Sequence, residues 1–222
     1  MNITIKDIHK KYGKKQVLQV IDLCIEAGEC VGILGGNGCG KSTLLSILAG
    51  IQPADRGEFL LNGNDLFRYP GQRSRLVGYV PQGTPLIEEL TAYDNLLLWY
   101  SKEQMKQDLS DGFLRLLGIE GFLKTPVSKL SGGMKKRLSI GCAISGHPPV
   151  LLLDEPMAAL DLACKQDISA YIKAHKEKGG IVLMATHDVL EIALCDKWYI
   201  MKDGRLTRFD YTGDLEELVK SL

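Results

Sequence analysis

The feature that most constrains the fold is a glycine-rich loop between an apolar run and a helix-like segment. The apolar run is Cys30 to Leu34, and the helix-like segment is Ser42 to Leu48. The loop and the start of the helix comprise Gly35, Gly36, Asn37, Gly38, Cys39, Gly40, Lys41, Ser42 and Thr43. Glycines allow positive φ and a close backbone approach to an anion, and the positive end of the helix dipole points into the loop. This pattern predicts a phosphate-binding loop rather than an ordinary glycine-rich turn.

Side chains in this loop indicate the ligand that it binds. Lys41 is placed to reach the β- and γ-phosphates of a nucleotide, and Ser42 is placed to ligate Mg²⁺. Cys39 lies inside the loop, where a small side chain is all that the fold requires. Filling space is therefore its favoured role, with alkylation of the thiol as a way to block nucleotide binding.

Composition excludes several classes of function. Lys and Arg together number 27, as do Asp and Glu, so the balance gives no reason to expect binding to nucleic acid or to an anionic membrane surface. No apolar run approaches the ~18–20 residues of a membrane-spanning helix, and the alternating start, Met1 to Ile5, predicts no signal peptide. The six cysteines contain no C-x-x-C pair, which favours buried free thiols in a reducing compartment over a disulfide framework.

Two adjacent carboxylates follow a predicted buried strand. Val150 to Leu153 is a continuous apolar run, typical of a parallel strand covered on both faces, and Asp154 and Glu155 come next. Open α/β sheets bind ligands at the carboxyl ends of their strands, where successive side chains point to opposite sides. We therefore expect Asp154 to complete the Mg²⁺ shell and Glu155 to face an attacking water. The preceding apolar residues disfavour an exposed, ion-paired Asp-Glu.

A histidine follows the neighbouring apolar run, Ile181 to Ala185, in the same way. A lone histidine is more often structural than catalytic. The place of His187 at the ligand-bearing edge of the sheet nevertheless favours contact with the γ-phosphate or the attacking water.

A second anion-binding helix start is predicted at Ser131, Gly132 and Gly133. Ser131 is a good N-cap, and the two glycines expose backbone N–H groups before the cationic segment Lys135 to Ile140. The simpler alternative is an ordinary capped helix.

Together these segments resemble the ATP-binding cassette (ABC) family, whose ATPase subunits drive membrane transporters. The resemblance covers nearly the whole chain in the family's order. The matching segments are the Walker A loop at Gly35 to Thr43, the Q-loop at Gln82, the signature motif at Leu130 to Met134, the Walker B motif at Val150 to Pro156, the D-loop at Ala159 to Asp161 and the switch histidine His187. Tyr12 lies where the family has its adenine-stacking aromatic, although it equally fits an ordinary hairpin aromatic.

The resemblance implies an α/β fold built on a P-loop NTPase core. That core has a mainly parallel sheet, an N-terminal antiparallel β subdomain and an inserted helical subdomain at about residues 84–146, within one domain spanning residues 1–222. Two amphipathic helical segments, Leu90 to Tyr100 and Gln104 to Leu117, lie in the expected insertion, and residues 214–222 are expected to form a small terminal helix.

The resemblance also implies the chemistry, which is Mg²⁺-dependent ATP hydrolysis in a head-to-tail dimer that encloses two ATP molecules. The implied catalytic residues are Lys41, Gln82, Glu155 and His187. The implied magnesium ligands are Ser42, Gln82 and Asp154. The implied nucleotide contacts are Tyr12, the Walker A residues from Gly35 to Thr43, Gln82, Asp154, Asp161 and, from the partner subunit's signature motif, the equivalents of Ser131, Gly132 and Gly133.

The expected partners are integral membrane transporter subunits and a second ATPase subunit, with the chain on the cytoplasmic face of the membrane. An ATPase acting in assembly or repair is the alternative, although such proteins often carry two cassettes or a long inserted arm. A kinase or GTPase is disfavoured because an Asn-Lys-x-Asp guanine-reading motif is missing from the sequence. The segment Leu90 to Leu96 and the expectation of no C-terminal regulatory domain favour export over import.

One position departs from the family pattern. The last signature residue is usually Gln, and Met134 cannot supply an amide hydrogen bond. The sequence therefore predicts a modest loss of closed-dimer stability, but not a degenerate site, because Lys41, Asp154, Glu155 and His187 are all present.

Overall fold

The computed structural model describes residues 1–213 together with Leu218 and Lys220. Its strands are β1 (Asn2–Tyr12), β2 (Lys15–Glu26), β3 (Cys30–Leu34), β4 (Arg56–Leu61), β5 (Asn64–Asp65), β6 (Val77–Val80), β7 (Val150–Asp154), β8 (Ile181–Ala185), β9 (Lys197–Lys202) and β10 (Arg205–Phe209). Its α-helices are α1 (Lys41–Ala49), α2 (Pro70–Leu76), α3 (Ala92–Leu97), α4 (Lys102–Ser110), α5 (Phe113–Leu116), α6 (Gly132–Ala143), α7 (Leu162–Glu177) and α8 (Val189–Ile192). The terminal helix expected at residues 214–222 lies largely outside the described residues.

The larger sheet has six strands in the order β10-β9-β3-β8-β7-β6 and is parallel apart from the antiparallel β9–β10 hairpin. Every residue of β3, β7 and β8 is buried. Alternate side chains of these strands enter different apolar clusters. Val150 and Leu152 face α1, for example, while Leu151 and Leu153 face the helices on the opposite side. The continuous apolar runs are therefore explained by helices covering both faces, which confirms the predicted mainly parallel sheet.

The smaller sheet is antiparallel, in the order β2-β1-β4-β5, and it covers the outer side of α1. Strands β1 and β2 form an antiparallel hairpin within the predicted N-terminal β subdomain, and Asn62 and Gly63 form the turn between β4 and β5. Ile3, Ile5 and Ile8 point inward to the same cluster as the buried leucines of α1. The helix that follows the glycine loop, α1, is thus held between the two sheets.

All six cysteines have free thiols, but the expectation that they are buried is wrong for one of them. Cys24 is exposed because β2 alternates and its even-numbered residues near Cys24 face outward, whereas Leu23 and Ile25 face the core. Cys30 and Cys195 lie in the core with their sulfur atoms 3.6 Å apart.

The segment Gln104 to Leu117 forms two helices rather than one. Helix α4 ends at Ser110, and α5 begins at Phe113. The buried carboxylate of Asp108 accepts the Phe113 N–H at 3.3 Å, so a side chain of the first helix satisfies the start of the second. Gly112 permits this, because a Cβ there would lie 1.9 Å from Asp108 Oδ1. The helix α2 was not anticipated, since its sequence is polar and has no apolar period.

No helix among the described residues is long and apolar enough to cross a membrane.

The packing of β6 gives a testable prediction about stability. Gly78 is buried, and a Cβ there would lie 2.5 Å from the Ala143 carbonyl oxygen and 2.7 Å from Pro148 Cγ. We expect Gly78→Ala to lower the free energy of unfolding by about 1–3 kcal/mol, because backbone atoms at the end of α6 must move. Urea denaturation of the purified chain measures the change.

Gly71→Ala is the matched control. Gly71 is exposed in α2, and a Cβ there has no neighbour within 4 Å. Alanine loses less backbone entropy in a helix, so this variant should be unchanged or more stable by up to about 1 kcal/mol. Equal stability of the two variants would contradict the close packing at Gly78.

Candidate nucleotide-binding site

The glycine loop joins β3 to α1 and is shaped by close backbone packing. Gly35 has φ 156° and Gly40 has φ 118°, values that favour glycine. A Cβ on Gly35 would lie 2.5 Å from the Met201 carbonyl oxygen, and one on Gly40 would lie 3.0 Å from the Val17 carbonyl oxygen. The two ends of the loop are therefore packed against β9 and the start of β2, and its residues Asn37, Gly38 and Gly40 line a cavity.

Lys41 is the first residue of α1 and is nearly buried. Its Nζ atom donates hydrogen bonds to the carbonyl oxygens of Gly35, at 2.7 Å, and Gly36, at 3.2 Å. The loop surrounds a cavity of 240 Å³, which the end of β7 and the segment after β6 also line. The lining residues are Asn37, Gly38, Gly40, Lys41, Ser42, Thr43, Gln82 and Glu155.

Asp154 ends β7 and is 2% exposed. Burial raises the pKa of its carboxyl group, while a hydrogen bond with the Ser42 side chain acts in the opposite direction. Its Oδ2 atom is buried without a hydrogen-bond partner. A carboxylate oxygen and a hydroxyl side by side are ligands suited to Mg²⁺, so Ser42 and Asp154 fit the predicted metal-binding role.

Glu155 is held by two of the other predicted catalytic residues. Gln82 Nε2 donates to Glu155 Oε2 at 3.1 Å, and His187 Nδ1 lies 3.0 Å from Glu155 Oε1. The Glu155 N–H donates to the Ala185 carbonyl oxygen at 2.9 Å, which ties the end of β7 to β8. Glu155 has φ 48°, an unfavourable conformation for a residue with a side chain, of a kind that clusters at functional sites.

His187 follows β8 and is mostly exposed, whereas the side chain of Glu155 that it contacts is mostly buried. The next residue, Asp188, accepts the Leu190 N–H at 2.8 Å and caps α8. Its carboxylate also pairs with Lys165, and these contacts lower its pKa although burial opposes them. The capped helix start fixes the backbone that presents the His187 ring to Glu155.

The signature segment lies at the N-terminus of α6, outside the cavity formed by the chain's own phosphate loop. Ser131 Oγ accepts the Met134 N–H at 3.3 Å, as expected of an N-cap. Ser131 and Gly132 are exposed, and Met134 packs partly against the helical core. This chain therefore has two separate anion-binding geometries, and only the Walker loop lies beside Glu155.

Tyr12 and Asp161, the two residues expected to contact nucleotide at some distance from the loop, contact other parts of the chain in this structure. The Tyr12 ring is half-exposed under Lys10 Nζ, and its hydroxyl donates to Gln52. Asp161 caps α7 by accepting the Cys164 N–H at 2.8 Å, and it forms an ion pair with Arg137 of α6. The contacts of Tyr12 with adenine and of Asp161 with nucleotide stay predictions.

Sequence reasoning missed two buried charged residues beside this site. Lys136 of α6 is 3% exposed, and its Nζ donates to the Pro81 carbonyl oxygen at 2.9 Å. Glu191 of α8 is 1% exposed and accepts the Met157 N–H at 2.7 Å. Burial lowers the pKa of Lys136 and raises that of Glu191. The available signal for the burial of Lys136 was its helical spacing. Ser139 and Ile140, three and four residues later, are buried on the same face of α6.

Comparison with known proteins bears on the family of the chain. The family model described as "ABC transporter" matches residues 18–158. The spermidine/putrescine import ATP-binding protein PotA of Spiroplasma citri is 39% identical over 92% of this chain and 60% of its own length. PotA of Bacteroides fragilis is 37% identical over 96% of this chain and 47% of its own length. The chain thus spans less than two thirds of the length of these relatives.

Solved structures agree in fold. The ATP-binding subunit of an ABC transporter superposes with a TM-score of 0.86 at 28% identity, covering 100% of this chain and 93% of that one. The dimeric cassette MJ0796, in a post-hydrolysis state with ADP and Pi, has a TM-score of 0.80 at 28% identity and covers 93% of this chain and 97% of that one.

The predicted family and fold are confirmed by the match of the family model, by the identity to curated relatives and by the agreement in fold over nearly the whole chain. The chain belongs to the ABC transporter family and has the fold of an ATP-binding cassette.

Proposed function

We propose that this chain hydrolyses ATP as one half of a head-to-tail dimer and thereby powers a membrane transporter. The observation that carries the proposal is the Glu155 carboxylate, held at the edge of the phosphate-loop cavity between Gln82 and His187. A carboxylate in this position has the placement required of a group that orients and polarises an attacking water.

Binding of the triphosphate follows from the loop. Backbone N–H groups and the Lys41 ammonium neutralise the β- and γ-phosphates, since the loop and Lys41 line the same cavity. Ser42 and Asp154 would hold Mg²⁺, which would offset the charge that develops on the phosphates. The lack of a hydrogen-bond partner at Asp154 Oδ2 is consistent with this role.

Catalysis then depends on the surroundings of Glu155. Glu155 accepts hydrogen bonds rather than donating them when ionised, so it can receive a proton from the attacking water. Gln82 and His187 contact its two oxygens, and we propose that both side chains turn toward the γ-phosphate when nucleotide enters the cavity. Gln82 also serves as the proposed additional magnesium contact.

The second half of each site comes from the partner subunit. Ser131 and Gly132 are exposed at a helix N-terminus that lies away from the chain's own Walker loop, which is the arrangement a head-to-tail dimer requires. The similarity to the dimeric cassette MJ0796 supports this assembly. The partner is a second copy or a related cassette.

Coupling to membrane-spanning subunits completes the proposal. We propose that residues 1–222 act as one domain on the cytoplasmic face of the membrane, with residues of about 84–146 as its helical subdomain. The expectation of export has no support, because the relatives are named as import proteins, and their names favour import. Expressing the tagged chain in its native host and identifying co-purified integral membrane proteins tests the proposal. Recovery of soluble assembly or repair factors alone would instead support the alternative function.

Glu155→Gln tests the assignment of the base. The amide keeps the size of the side chain but cannot take the proton, so we expect kcat for ATP hydrolysis to fall by at least about 100-fold. ATP binding should persist, because Lys41, Ser42 and Asp154 are unchanged. Phosphate release and equilibrium nucleotide binding measure the two effects.

Size-exclusion chromatography in ATP should show the Glu155→Gln protein as a stable dimer, since it cannot leave the bound state by hydrolysis. Glu177→Gln, at an exposed position near the end of α7, is the control and should hydrolyse ATP like the parent chain. Hydrolysis by Glu155→Gln at the parent rate would remove Glu155 as the base.

Met134→Gln tests the departure in the signature motif. A Gln amide adds a hydrogen-bond donor at the proposed dimer contact, so we expect the closed dimer to gain about 0.5–1.5 kcal/mol. Met134→Leu keeps the apolar packing against the helical core without adding such a group, and it should match the parent chain. The idea is wrong if Met134→Gln changes neither dimerisation in ATP nor the ATPase rate.

A further inference from the structure

Lys136 is a buried cation that joins the signature helix to the Q-loop. It lies in the second turn of α6, only two residues after Met134. Its Nζ atom is 2.9 Å from the Pro81 carbonyl oxygen and 3.4 Å from the Gln82 carbonyl oxygen. An ammonium group has three donors, so it can satisfy both carbonyls at once. The backbone of the Q-loop is thus bonded to the helix that begins with the signature motif.

The same bonds lead to the proposed catalytic base. Gln82, whose carbonyl oxygen lies near Lys136 Nζ, donates from its side chain to Glu155 Oε2 at 3.1 Å. Displacement of the Gln82 backbone by 1 Å is enough to lengthen this side-chain contact beyond hydrogen-bonding distance. Lys136 is therefore connected to Glu155 through a single intervening residue.

The surrounding charges explain why a lysine is tolerated there. Asp154, Glu155 and Glu191 all attract the Lys136 ammonium electrostatically, although burial is the larger effect and lowers its pKa. A buried charge is costly unless it is compensated, and here the two carbonyl oxygens and the attraction of the three carboxylates offset part of that cost. An apolar side chain of similar length would fill the space without making any of these contacts.

We propose that Lys136 is a positioning residue that couples the signature helix of each subunit to the Q-loop and catalytic base of the same subunit. The proposal rests on the proposed function, because it assumes hydrolysis at Glu155 and a dimer closed by the signature motif. The N-terminus of α6 contacts the ATP bound by the partner subunit. Through Lys136, the same helix orients Gln82 beside the ATP bound by its own subunit. Lys136 is thus the physical link between the two nucleotide sites of the dimer.

A Lys136 side chain that only fills space and one that positions Gln82 predict different effects of substitution. If Lys136 only filled space, Lys136→Met would change the stability of the fold and affect both nucleotide sites of a dimer alike. If it positions Gln82, the defect falls on the hydrolytic site of the chain that carries the substitution. We expect that site to keep its affinity for ATP, because the positions of Lys41 and Ser42 do not depend on a hydrogen bond to Lys136.

Dimers with one active site separate these outcomes. Two differently tagged chains are co-expressed and the mixed dimer is purified. In the cis dimer, one chain carries Lys136→Met and the other carries Glu155→Gln, so hydrolysis is confined to the chain lacking Lys136. In the trans dimer, one chain carries both substitutions and the other carries neither. Lys135→Met replaces Lys136→Met in the matched controls, since Lys135 pairs with Glu88 on the surface.

We expect kcat of the cis dimer to fall by about 10- to 100-fold relative to its control, with KM for ATP within about threefold. The trans dimer should stay within about threefold of its control. Equal losses in the two dimers, or a loss confined to the trans dimer, would overturn the proposal. No hydrolysis by the dimer of two parent chains would refute the proposed function instead, independently of Lys136.

Lys136→Gln is the second variant, and it keeps the test usable if the methionine variant does not fold. Its amide retains an N–H donor toward the Pro81 carbonyl oxygen but carries no charge. Partial recovery of kcat in the cis dimer, with a thermal unfolding midpoint near that of the parent, is the expected result. Equal losses of kcat in the cis and trans dimers of Lys136→Gln, each relative to its Lys135 control, would also overturn the proposal.

Discussion

The structure depends on a parallel sheet that is covered on both faces. Since β3, β7 and β8 are buried along their whole length, polar side chains can follow these strands only where the strands end. The parallel directions bring those ends to one edge of the sheet. The glycine loop, Asp154 with Glu155, and His187 meet there because they follow parallel strands that end at this edge.

Concentrating charge at this edge has an energetic cost. Asp154 is nearly inaccessible to water and its pKa is raised by burial, which means that the fold holds an ionised carboxylate less easily than water does. Lys136 offsets part of this cost by its charge, and Mg²⁺ bound at Asp154 would offset more. The electrostatic arrangement therefore favours the ligand-bound protein over the free one, a trade of stability for function.

Local patterns predicted the parts of the molecule that depend on local physics. The glycine spacing, the apolar runs and the capping residues correctly predicted the loop, the buried strands and the start of α6. Contacts between distant segments were not readable in this way. The break at Gly112 depends on Asp108, and the burial of Lys136 depends on the Pro81 carbonyl oxygen, which lies 55 residues away. Sequence reasoning placed Lys136 only in a cationic first turn, because its partner is a backbone atom without a residue signature.

The position of α1 between the two sheets has a further consequence for motion. Leu44, Leu45, Ile47 and Leu48 are all buried, so the helix can lose its hydrogen bonds only when one sheet separates from the other. Amide protons of α1 should therefore exchange with solvent through large-scale opening rather than local fraying. The phosphate loop, anchored at its end to this helix, has its geometry maintained by the global free energy of folding. The N-terminal hairpin, although distant from the catalytic carboxylates in sequence, is thus part of what keeps the nucleotide site in shape.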